Sequence, residues 1–172
     1  MATGKLAATL KVRGSGLITD IAFSPDGKLL AVAEDSGHTD VWDVTTGRLI
    51  KALNSSGGNV GVAFSPVDQL LAASGVNGLF LWHVATGKQY GATYDPGTNG
   101  ISDVAFSSDG EVVAAADNNG STYLWGVATG DLIATLTAPG QNSNENNNVL
   151  WAAFSPDGTL VATADAGRLQ SQ

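Results

Sequence analysis

Apolar and polar residues alternate in short runs along most of the chain, and the runs are separated by clusters rich in Gly, Pro, Asp and Asn. A period of two puts successive side chains on opposite faces of a strand, so the pattern predicts β-strands; no segment keeps a convincing helical period. The first set reads as Ile18–Phe23, Leu29–Ala33, Thr39–Val44 and Arg48–Leu53. Between the first two lies Ser24-Pro25-Asp26-Gly27. Proline presets φ for such a turn, aspartate bonds nearby amides and glycine closes it. Thr46-Gly47 leads into the fourth strand. The same cycle recurs at 60–93 and 101–136, with Asn77-Gly78 and Asn119-Gly120 at the hairpins between second and third strands. Asn-Gly is the strongest short hairpin signal. The fold class is all-β.

The cycle is also a sequence repeat. "IAFSPDG" stands at 21–27, "VAFSPVD" at 62–68, "VAFSSDG" at 104–110 and "AAFSPDG" at 152–158. Their phenylalanines, Phe23, Phe64, Phe106 and Phe154, are 41, 42 and 48 residues apart. A second marker keeps the same step: "VWDVTTG" at 41–47, "LWHVATG" at 81–87 and "LWGVATG" ending at Gly130. A period of about 40–45 residues is that of a four-stranded propeller blade. The blades fall at about 18–53, 60–93, 101–136 and, incompletely, 149–165, and "LAATL" at 6–10 reads as an orphan fourth strand.

These two markers, and "DNNGSTYLWGVATGDLIATLTAPG" at 117–140, resemble the WD-repeat propellers, above all their bacterial branch. The last stretch is similar to repeats of standalone bacterial propellers and of sensor regions attached to bacterial Ser/Thr kinases. The resemblance covers residues 6–165 and implies a β-propeller of four-stranded antiparallel blades. Only Asp43 completes a Trp-Asp pair, since His83 and Gly126 replace it elsewhere, and no unit has a Gly-His dipeptide before its first strand. The Asp-His-Ser-Trp hydrogen-bond network of the eukaryotic members therefore does not carry over.

Three full blades flanked by partial ones leave the ring open, and three readings follow: a fragment of a larger propeller, closure as a four-bladed ring, or a homodimer in which two chains complete one ring. Open blade edges present unpaired N–H and C=O groups and apolar faces, which favour pairing with another chain.

Composition narrows the function classes. With 43% hydrophobic and 14% charged residues, the chain has the apolar content for a core. Eight basic against sixteen acidic residues give a net charge of −8, which repels phosphate backbones and anionic membranes and mildly favours a basic partner. The absence of cysteine removes disulfides, thiol catalysis and thiolate metal sites. No stretch approaches a membrane span, and the first residues lack the apolar core of a signal peptide. The chain reads as soluble, cytoplasmic by default and extracytoplasmic if it belongs to a membrane-bound sensor.

Candidate binding residues fall on the face where fourth-to-first and second-to-third loops gather, because loops on a rigid scaffold are the usual binding elements. The Asn-rich stretch 138–148, with Asn144 and Glu145, accounts for a Trp-to-Phe gap of 29 residues against 22 and 24 earlier. It is either a protruding partner loop or a tolerated insertion. Eleven residues after each landmark Phe stand Glu34, Gly75, Asp117 and Asp165, with Asp35 adjacent. They form either an acidic collar for a basic peptide or ordinary turn chemistry. Asn77 and Asn118 lie in the same loops. Three residues before each Phe come Asp20, Gly61, Asp103 and Trp151 on the strand that lines the channel. Trp151 is either a ligand anchor or a packing residue, whereas Trp42, Trp82 and Trp125 keep the blade period and belong to packing. His38 and His83 have no metal-ligand spacing, no serine sits in a nucleophile elbow, and no Gly-rich stretch has the lysine of a phosphate loop. The expectation is a non-catalytic scaffold without cofactor or metal that binds a protein or peptide on its loop face. The alternative is a ligand-sensing or regulatory propeller segment of a larger bacterial signalling protein such as a Ser/Thr kinase.

Overall fold

The computed structural model describes residues 6, 8–13, 15–55, 57–96, 100–137 and 149–165. Among them every regular element is a strand. Blade 1 is a sheet of β1 (Ile18–Phe23), β2 (Leu29–Glu34), β3 (His38–Asp43) and β4 (Arg48–Asn54), paired antiparallel in that order. Blade 2 comprises β5 (Asn59–Phe64), β6 (Leu70–Gly75), β7 (Gly78–His83) and β8 (Lys88–Gln89). Blade 3 comprises β9 (Ile101–Phe106), β10 (Val112–Asp117), β11 (Ser121–Gly126) and β12 (Leu132–Thr137). A fourth, two-stranded sheet holds β13 (Val149–Phe154) and β14 (Val161–Asp165).

Two stretches depart from the sequence pattern. Residues 6 and 8–10, expected as an orphan fourth strand, are not in a strand. A fourth strand needs a third strand beside it, and no described strand pairs with these residues. Strand β8 is two residues long because the chain turns away at Gly91, and Tyr94 then returns to pair with Leu79, each N–H donating to the other's carbonyl at 2.9 Å.

The sheets pack face to face, and the core lies in the seams. Ala31, Val41 and Leu53 of blade 1 meet Val62, Leu71 and Ala73 of blade 2. Leu70, Leu79 and Leu81 of blade 2 meet Val104, Val113 and Trp125 of blade 3. Ala114 and Ala116 meet Ala152. Burial of these alternating faces is the main source of stability, at about 25 cal/mol per Å² of apolar surface. Tyr94 adds a polar tie across the second seam, its hydroxyl donating to the Val127 carbonyl at 3.2 Å while its ring meets Trp125 edge-on at 5.8 Å.

The blade tryptophans pack as expected, with one exception in their surroundings. Trp82 stacks with Phe80 at 6.3 Å and Trp125 with Tyr123 at 5.5 Å. The corresponding neighbour of Trp42, two residues before it, is the buried Asp40, whose carboxylate meets the Arg13 guanidinium at 3.4 Å.

The first strands β1, β5, β9 and β13 lie at the sheet edges and neighbour one another. An edge strand leaves alternate N–H groups without a ladder partner. Asp20 meets two of them, accepting from Ile21 N–H at 2.8 Å through Oδ1 and from Val62 N–H at 2.9 Å through Oδ2. Asp103 likewise accepts from Val104 N–H and from Ala152 N–H, the latter at 2.9 Å. One carboxylate thus serves the edge amides of two blades, which explains why aspartate alternates with Gly61 and Trp151 at this position. Burial raises the Asp103 pKa above its ordinary value, the two amide hydrogen bonds work against that, and the charge of Asp20 adds to the rise.

Candidate functional site

Each hairpin loop between second and third strands is pinned to the residue just before a first strand. Asp35 N–H donates to the Leu17 carbonyl at 3.0 Å, Val76 N–H to Gly58 at 3.2 Å, and Asn118 N–H to Gly100 at 3.2 Å. Asp35 Oδ1 also accepts from Leu17 N–H at 2.8 Å. Neighbouring loops then touch through bare backbone: a Cβ on Gly37 would stand 2.4 Å from the Gly57 carbonyl oxygen, so only glycine admits the approach. The result is a rigid rim whose outward side chains differ from blade to blade, with Asp35 and Ser36, Val76 and Asn77, and Asn119 exposed.

The sequence candidates divide on this rim. Asp35 and Asn77 are exposed and Asn118 is partly so, all on the loops themselves. Glu34 and Asp117 are fully buried, so they do not form an acidic collar open to a partner. They end β2 and β10, where the side chain turns into the protein rather than out with the loop. Asp117 instead accepts from Asn119 N–H within its own hairpin, which is the turn chemistry that competes with the collar. Its charge also helps to raise the Tyr123 pKa, after burial, the larger cause. Neither Glu34 oxygen has a hydrogen-bond partner among the described residues. Trp151 is exposed by 62% on the last sheet. Asn144, Glu145 and the side chain of Asp165 lie outside the described residues. Among those described, no group of three His, Cys, Asp or Glu side chains comes together to hold a metal ion.

On the opposite face, formed by the turns after each first and third strand, the structure has features the candidate residues omit. Depressions lie in the first two seams, one of about 350 Å³ between blades 1 and 2 and one of about 530 Å³ between blades 2 and 3. The sequence signal for this face is a break in the turn pattern, "SPVD" at 65–68 where the other units read "SPDG" or "SSDG".

Comparison with known proteins adds two family matches. The model of the anaphase-promoting complex subunit 4 WD40 domain matches residues 7–67, and that of the WD domain, G-beta repeat, matches residues 88–126. Human apoptotic protease-activating factor 1 is 30% identical over 124 residues, 66% of this chain and 10% of that protein. An uncharacterised WD repeat-containing protein of Synechocystis is 31% identical over 155 residues, 89% of this chain and 42% of that protein. The Drosophila melanogaster LST8 homolog is 26% identical over 150 residues, 85% of this chain and 48% of that protein. The chain thus spans less than half the length of each of these relatives.

Proposed function

Because the chain belongs to the WD-repeat family, we propose that it is a non-catalytic interaction scaffold whose hairpin-loop rim docks a protein or peptide. The observation that carries this reading is the rim itself: three loops fixed by the same backbone bond, each offering different exposed side chains. A rigid frame with variable tips binds without a large ordering cost. With Glu34 and Asp117 buried, Asp35, Val76 and Asn77 present one carboxylate, one apolar and one amide side chain, so shape and this mixed chemistry govern partner choice more than attraction of a basic peptide does.

One observation favours a second reading, in which the blades serve as a regulatory segment within a larger propeller, from the same polypeptide or from a second copy. Both ends of the array present apolar side chains to solvent, Ile21 and Phe23 on blade 1 and Trp151 and Leu160 on the last sheet. Surfaces of this kind mark contact sites.

Site-specific photo-crosslinking in the native host tests the scaffold reading. A crosslinking residue at Val76 should capture a discrete partner, and one at Thr135 on the outer strand β12 should not. Equal capture at both positions, or none at Val76, would overturn the rim as a docking face.

A further inference from the structure

The turn after the first strand of blade 2 breaks a pattern that the other three keep. In those, Asp26, Asp109 and Asp157 each accept from a serine hydroxyl, at 2.7, 2.6 and 2.6 Å. Each also accepts from the N–H two residues on, at 3.1, 3.0 and 3.1 Å. A glycine at φ near +70° then completes the turn. Blade 2 has Ser65-Pro66-Val67-Asp68 instead. Here aspartate stands in the glycine's place, its N–H donates to Ser65 Oγ at 3.1 Å, and its carboxylate takes no hydrogen bond from the described residues. Val67, in the aspartate's place, is 62% exposed. The turn therefore releases one carboxylate and one apolar side chain to the surface.

Both land between the two depressions. The first has an apolar lining of Leu29, Ile50, Phe64, Val67 and Val84. The second has one of Tyr90, Val112, Val127 and Ile133. Asp68 lines both. Ile50 is the residue left unpaired by the register shift between β3 and β4, and Ile133 by the shift between β11 and β12. A bulge of this kind re-aims a side chain. The charges are one-sided, since neither lining includes a lysine or arginine. Asp26 is occupied by Lys28 at 3.3 Å and by its turn, and Asp109 by its turn, whereas Asp68 and Glu111 are exposed with no such tie among the described residues.

We infer that this face is a second docking surface, for an extended peptide segment carrying two bulky apolar side chains with a lysine or arginine between them. The apolar side chains fill successive depressions, whose volumes suit small concave sites, and the cation meets Asp68 between them. The inference concerns the face opposite the hairpin-loop rim and does not depend on the rim's partner.

Selection of binders to the purified chain from a randomised peptide library, followed by affinity titration of the selected peptides, tests it. The selected peptides should share the apolar–basic–apolar order. Asp68→Arg should weaken them about tenfold. The double substitution Val67→Asp with Asp68→Gly, which restores the turn of the other blades and should leave the melting temperature at or above that of the parent, should weaken them similarly. Val76→Arg on the opposite face should leave affinity unchanged. Recovery of no binders, of peptides lacking the basic residue, or of peptides indifferent to both Asp68 variants would overturn the inference. Loss of affinity on Val76→Arg would also overturn it, placing the peptides on the rim instead.

Discussion

Asp103 Oδ2 accepts a hydrogen bond from the Ala152 N–H at 2.9 Å, joining strands of adjacent blades across 49 residues of sequence. Asp20 and Val62 repeat the relationship at 2.9 Å across 42 residues. Apolar seams hold the blades together without directional preference, and these bonds add register. Asp103→Ala should cost about 1–3 kcal/mol, because it leaves edge amides without an acceptor. Asp103→Asn, which keeps one acceptor oxygen, should cost less. Urea denaturation checks both, and equal stability of the alanine variant and the parent would refute the register role.

Acid should destabilise the protein mainly through its turns. Hydrogen bonds from serine hydroxyls and backbone N–H groups hold Asp26, Asp109 and Asp157 below the ordinary value of 3.8, Asp157 at about 2. A depressed carboxylate contributes stability above its unfolded pKa and loses it as pH falls through the folded one. Asp103 has the opposite sign: its raised pKa gives a contribution that is full below 3.8 and is lost as pH rises through the folded value. The melting temperature should therefore fall between about pH 4 and pH 2. The fall should be shallower in Asp157→Asn, which lacks one depressed group, whereas Asp103→Asn should differ from the parent in its pH dependence above 3.8, where the raised group titrates. A melting temperature that is flat over this interval in the parent would contradict the assignment.

Arg13 and Asp40 should be energetically coupled. Asp40 is buried where blades 2 and 3 place an aromatic ring against the tryptophan, and Arg13 is half exposed at 3.4 Å. Arg13→Ala should cost about 1–2 kcal/mol, between the values for surface and buried pairs. In an Asp40→Tyr background, which restores the aromatic neighbour, the same substitution should cost almost nothing. A double-mutant cycle by chemical denaturation measures the difference, and an unchanged Arg13→Ala cost would show that the two residues act independently.

The repeat and most strands were legible because they depend on local chemistry. Alternation set the faces, and Pro-Asp-Gly and Asn-Gly set the turns; Ile18–Phe23 is a strand with those same bounds. Elements that depend on a distant partner were less legible. Residues 6 and 8–10 have the composition of a fourth strand but pair with no described strand, and β8 stops short although its sequence continues the cycle. The alternation of Asp20, Gly61, Asp103 and Trp151 was visible, but its cause lies between strands more than 40 residues apart. Burial of Glu34 and Asp117 was hidden for a related reason: a loop-adjacent acid looks exposed until the next blade is packed beside it. The "SPVD" turn was present in the sequence as a departure, and only the depressions on either side give it a consequence.

Hydrogen exchange of the chain alone and in complex with its crosslinked partner measures the central claim most directly. The account predicts slowed exchange at the hairpin loops 35–37, 76–77 and 118–120, with β4 and β12 unchanged. Protection confined to those outer strands, with the three loops exchanging as in the free chain, would contradict it.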